Sequence, residues 1–127
     1  MPHVTVEYTD NIKGEGRIRE LLEKINQSLL ENDGLFPIGG IRTRAVELKD
    51  YVVADGSEDD AFVHVTFKIG GGRSEERLSA ACDKLFAVIV DHFAALFEKR
   101  YLALSMEVSE FTRPAYKKNN IHKRYKT

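Results

Sequence analysis

Three groups in this chain carry chemistry that a plain scaffold does not need: a proline at position 2, the arginines Arg42 and Arg44, and the run Gly70-Gly71-Gly72-Arg73-Ser74. Removal of Met1 leaves Pro2 as a secondary amine at the head of the chain. An α-amino group has a pKa of about 8 in water, and burial together with nearby guanidinium charge lowers it. Such a nitrogen is neutral near pH 7, as a general base must be. With Met1 in place the same nitrogen is an amide and accepts no proton. Arg42 and Arg44 stand two apart, so on a strand both point to one face. Arg73 offers a planar fork that matches a carboxylate. Glycines ahead of a helix start let backbone N–H groups approach an anion, which makes Gly72 a candidate binding position beside Arg73. Each group also has an ordinary reading. Proline at position 2 is common, an arginine pair is often a solvated stripe, and three glycines often only make a turn.

What separates the readings is whether the fold brings the groups together. From His3 to Tyr8 the chain alternates, placing Val4, Val6 and Tyr8 on one face of a first strand. Ile18, Leu21, Leu22, Ile25, Leu29 and Leu30 form one stripe on a helix ending near Asn32, Asp33 and Gly34. Residues 41–48 read as a second strand, and Ala61, Val63, Val65, Phe67 and Ile69 share one face of a third, after a polar turn at Asp55-Gly56. These two strands are expected to form a hairpin with a long connection. Ser74 caps a second helix, with Glu75 and Glu76 at the positive end of its dipole and an apolar stripe from Leu78 to Leu96. Leu102, Leu104, Met106 and Val108 alternate as a last strand.

The order βαββαβ predicts an α+β fold: a four-stranded mixed sheet made of two βαβ units, with both helices on one face. The helix between strands one and two makes those strands parallel, so Pro2 and Arg42 start at the same end of the sheet. The third strand runs back and delivers Gly70 to Ser74 to that end. Pro2, Arg42 and Arg73 are thus expected on one rim. The other sheet face, with His64, Thr66 and Phe62, is left uncovered, which favours an oligomer.

Composition narrows the alternatives. With 127 residues and 43% apolar content, one domain with one core is expected. Residues 1–112 form that domain, and 113–127 a basic arm expected to pack on a neighbouring subunit. The arm holds Arg113, Lys117, Lys118, Lys123, Arg124 and Lys126 with no acid. Taking those six from nineteen basic residues leaves thirteen against twenty acids, so the domain carries about −7. Such a body repels phosphates, and nucleic acid is not expected as a partner. The glycine run lacks the Gly-Lys-Ser/Thr ending of a nucleotide loop. One cysteine, Cys82, excludes an internal disulfide, and His3, His64, His92 and His122 show no metal-ligand spacing, so no metal is expected. No apolar run reaches the roughly 18 residues of a membrane helix, and the start does not resemble a signal peptide, so no membrane partner and a cytoplasmic location are expected.

The chain resembles the 5-carboxymethyl-2-hydroxymuconate isomerase family of the tautomerase superfamily along nearly its whole length. The resemblance rests on Met1-Pro2-His3, on the segment from Phe36 to Arg44, on Ala61-Phe62-Val63-His64-Val65, on Gly72-Arg73-Ser74, on His92-Phe93-Ala94-Ala95-Leu96 and on Asn119-Asn120-Ile121-His122. It implies a homotrimer, no cofactor, and a catalytic amino-terminal proline that maps onto Pro2, with Arg42 and Arg73 as the arginines of the site. Arg44 matches a recurring arginine and is placed here among the substrate-binding positions. Asp60 departs from the pattern, where an aromatic residue is expected. The implied reaction is a 1,3 proton shift between enol and keto forms of a polycarboxylate in homoprotocatechuate (4-hydroxyphenylacetate) breakdown. Two rival readings keep the fold: a related proline-dependent tautomerase, decarboxylase or dehalogenase acting on another unsaturated acid, and a non-catalytic small-ligand module, since fold alone does not settle function.

Overall fold

The computed structural model describes residues 1–125. The elements are β1 (His3–Thr9), α1 (Ile18–Leu30), β2 (Arg42–Leu48), β3 (Ala61–Gly70), α2 (Glu75–His92), α3 (Ala94–Lys99) and β4 (Leu102–Phe111), with short 3-10 turns at Asp10–Ile12, Ile38–Gly40 and Ile121–Tyr125. No helix among the described residues is long and apolar enough to cross a membrane. The last two residues of the basic arm expected from the sequence, 126–127, lie outside the described residues.

The four strands form one mixed sheet in the order β2-β1-β3-β4, with β1 parallel to β2, antiparallel to β3, and β3 parallel to β4. Alternation dictates which face is dry: Val4, Val6, Val65, Phe67 and Ile69 are fully buried, while His3, Thr5, His64 and Thr66 between them are not. Leu21, Ile25 and Leu29 of α1 and Leu78, Ala81, Leu85 and Ile89 of α2 close over that dry face. Both long helices therefore lie on one side of a tautomerase-like sheet, as the element order predicts.

The ends of α1 have local causes. Gly16 N–H donates to Ile12 O at 2.8 Å, and a Cβ on Gly16 would lie 2.7 Å from that oxygen, so the turn into the helix admits only glycine. Past the other end, Asn32 Nδ2 donates to the Ser28 and Leu29 carbonyls at 2.8 and 3.0 Å, which satisfies acceptors the helix leaves unpaired. In α2, Ser74 Oγ accepts from Arg77 N–H at 3.1 Å, the expected cap.

Two expectations are corrected. β2 and β3 run antiparallel but form no hairpin, because β1 lies between them. Each βαβ crossover sets its second strand beside its first, and the two units then join through β1 and β3. Those strands contribute the most buried side chains, so the sheet centre goes to them and β2 and β4 become edges. The apolar stripe from Leu78 to Leu96 is also not one helix, because α2 ends at His92 and α3 begins at Ala94. Arg17 Nη2 donates to His92 O at 2.9 Å, and a side-chain N–H at a mid-helix carbonyl competes with the helical ladder.

After β4 the arm turns back over its own chain. Asn119 Nδ2 donates to Gly39 O at 2.9 Å. A Cβ on Gly39 would lie 2.6 Å from His122 Nδ1 and 2.9 Å from His122 Cα, so the arm seats on a glycine surface.

Candidate active site

The sheet register builds one rim. His3 is paired with Arg42 on one side and Lys68 on the other, and Arg42 N–H donates to Pro2 O at 3.0 Å. Pro2 is thereby pinned through its carbonyl at the start of β1, and it is buried. β3 ends at Gly70 on this same side, which brings Gly71, Gly72 and Arg73 alongside. Gly72 has φ +102, and a Cβ there would meet nothing within 4 Å, so glycine is required by the backbone and not by crowding.

The two arginines are held from behind. Arg42 Nη1 donates to Gly39 O at 2.9 Å and to Ile41 O at 3.2 Å. Arg73 donates from Nε to Leu35 O at 3.2 Å and from Nη1 to Gly70 O at 2.9 Å, and its Cζ stands 5.0 Å from the centre of the Phe36 ring. Phe36 is itself buried and packs edge-on against Phe67, so the guanidinium rests on the core. Among the described residues, Nη2 of each arginine has no hydrogen-bond partner, which leaves one donor edge of each fork for an anion. Arg44 stands apart, exposed on the open sheet face with Nη1 3.1 Å from His3 Nδ1. Asp60 lies at the opposite end of the sheet, where its carbonyl accepts from Asn11 Nδ2 at 2.9 Å.

A groove of about 540 Å³ opens beside the rim, lined by Met1, Gly70, Gly71, Gly72, Phe111 and Lys117 among others, while Pro2, Arg42 and Arg73 lie next to it and not in its lining. The amine of Met1 holds its proton less tightly than an ordinary terminus. Burial is the main cause, followed by the charges of Lys117, Arg73 and Arg42. His3 is likewise lowered, by burial and then by Arg44. Lys117 is the member that sequence reasoning missed. Within the chain the described part of the arm contacts Gly39, where the lack of a side chain admits a close backbone approach.

The sheet of two βαβ units, with Pro2, Arg42 and Arg73 at one end, is a tautomerase-like fold, and the matches with known proteins give its class as isomerase. The family model described as 5-carboxymethyl-2-hydroxymuconate isomerase matches residues 2–125. A 5-carboxymethyl-2-hydroxymuconate Delta-isomerase of Escherichia coli is 45% identical over 127 residues, covering 99% of this chain and 100% of its own. The crystal structure of a 5-carboxymethyl-2-hydroxymuconate isomerase from Deinococcus radiodurans R1 superposes with a TM-score of 0.94 at 55% identity, over 99% of this chain and 95% of that one. A symmetric trimer of fused 4-OT shares the fold alone, with a TM-score of 0.65 at 15% identity over 92% and 93% of the two chains. The chain belongs to the 5-carboxymethyl-2-hydroxymuconate isomerase family.

Proposed function

We propose that this isomerase converts the dienol 5-carboxymethyl-2-hydroxymuconate to its keto form, with Pro2 as the base once Met1 has been removed. The Pro2 nitrogen takes the proton of the 2-hydroxyl. The freed electrons form the C2 carbonyl, the conjugated double bonds shift, and the proton returns at C5. Arg42 and Arg73 hold carboxylates and the negative charge that grows on the substrate oxygen, a preorganised electrostatic role that needs no cofactor. Gly72 admits the substrate close to the backbone, and Arg44, beside His3 at the same end of the sheet, adds positive charge. The observation that carries this reading is the placement of Pro2 beside Arg42, whose N–H donates to Pro2 O at 3.0 Å, at the end of the sheet to which β3 also delivers Arg73.

The names of the relatives supply the substrate, and its ring-cleavage origin supports a place in homoprotocatechuate degradation in the cytoplasm. The bare sheet face and the trimeric fold relative support a homotrimer, with the outer side of the basic arm laid on the acidic surface of a neighbour. The test is ultraviolet monitoring of the dienol with protein whose intact mass shows Met1 removed. Turnover is expected, and Pro2→Ala, which keeps an amine but changes its basicity and freedom, lowers kcat strongly. Full turnover by the alanine variant would overturn the role of Pro2.

A further inference from the structure

The basic arm lies at the rim for a reason that its charge alone does not explain. Its anchor is specific: Asn119 Nδ2 donates to the same Gly39 carbonyl that receives Arg42 Nη1, each at 2.9 Å. Asn119 Oδ1 also accepts from Ile121 N–H at 2.7 Å, which holds the side-chain amide in register, and His122 fills the space that a side chain at Gly39 would occupy. The arm and Arg42 are therefore tied to one acceptor. Between this anchor and the end of β4, the chain crosses the groove beside Gly70 to Gly72 and sets Lys117 into its wall. The other charged residues of that wall are Glu110 and Arg113. Of all the charged groups, Lys117 acts most strongly on the chain-head amine, ahead of Arg73 and Arg42.

We propose that Lys117 is a third anion-binding group of the site, held there by Asn119, and that it selects substrates bearing a third carboxylate. Building on the function proposed above, Arg42 and Arg73 take the two carboxylates of the muconate chain and Lys117 takes that of the carboxymethyl branch. An ammonium on a flexible stem suits a branch that must rotate as C5 becomes tetrahedral, whereas the planar forks suit the fixed conjugated ends.

Lys117→Met keeps the stem and removes the charge. At a pH above the acid limb of both proteins, a limb that loss of the Lys117 charge itself moves upward, its KM against 5-carboxymethyl-2-hydroxymuconate rises about tenfold at nearly unchanged kcat, the loss expected for one charge-assisted hydrogen bond. Against 2-hydroxymuconate, the same dienol without the branch, its KM stays that of the parent, and Lys117→Arg restores most of the selectivity. Asn119 is a positioning residue. Asn119→Asp keeps the acceptor for Ile121 N–H and loses the donor to Gly39, so it raises KM for the branched substrate alone and adds little to Lys117→Met in the double variant. Equal KM changes for both dienols, or none, overturn the proposal. If the parent protein turns over neither dienol, the function above fails, and calorimetry with propane-1,2,3-tricarboxylate still decides the matter here. Binding that Lys117→Met weakens about tenfold supports the third anion site, and binding that it leaves unchanged overturns it.

Discussion

Arg73 is fixed on three sides, by the Leu35 and Gly70 carbonyls and by the Phe36 ring, so its guanidinium is held in place by the fold itself. Arg73→Ala is expected to lower kcat/KM by about 10² to 10³, the usual cost of one preorganised donor in a buried site. Arg73→Lys recovers little of it, because an ammonium can neither span both carbonyls nor stack on the ring; steady-state kinetics of both variants decide this. The pH profile separates charge from shape. The base must be neutral to act, so the rate rises with pH through the pKa of the amine. Arg73 lowers the pKa of the Met1 amine, and on the proposal that Pro2 becomes the chain head its removal in Arg73→Ala is expected to move the acid limb of kcat/KM to higher pH. Pro2, Arg42 and Arg73 were legible in the sequence because strand order alone sends them to one end of the sheet. Lys117 was not, since nothing in the spacing of an acid-free tail says which surface it meets.

Among the elements, the break between α2 and α3 carries a buried imidazole. His92 Nε2 lies 2.8 Å from Gly16 O, a pure acceptor, so that nitrogen bears the proton, and Nδ1 accepts from Lys24 Nζ at 3.1 Å. A second proton would face the Lys24 ammonium in a buried place, and burial, followed by the Lys24 and Arg17 charges, lowers the pKa of His92 against the opposing pull of Gly16. The unfolded chain then binds more protons between the lowered value and the ordinary one near 6.5. The stability from this contact is whole above about pH 6.5 and is lost as the pH falls below it. The Tm should drop on acidification from about pH 7 to about pH 5, and His92→Gln, which retains a donor without titrating, should flatten that slope in thermal melts. Gly39→Ala tests the other element-scale contact. Its Cβ would overlap His122, so the arm must lift, with higher KM and little change in Tm. The helix stripes and the alternation of β1 and β3 could be read directly, because burial on one face imposes its period. The pairing of β2 and the split of α2 from α3 could not. The first depends on which strands bury most, and the second on a carbonyl claimed by an arginine far away in the chain.

At the scale of the molecule, the sheet has one face under two helices and one that no element among the described residues covers. On that bare face Thr5 is paired with Thr66 at the centre, and His64 bridges Ser105 Oγ at 2.7 Å and Glu107 Oε1 at 2.8 Å. If three subunits join through this face, Thr66→Arg places an unpaired charge in the joint, and sedimentation should show smaller species than the parent while circular dichroism stays unchanged. The return of the arm has a practical corollary. Met1 and Lys117 border the same groove, so the head of the chain and the described part of the arm meet beside the place where catalysis is proposed. An affinity handle or fluorophore fused ahead of Met1 would crowd it and would also keep Pro2 acylated. The exposed bend at Asp55 and Gly56, between β2 and β3 at the remote edge of the sheet, is where such cargo can be inserted without touching the reaction.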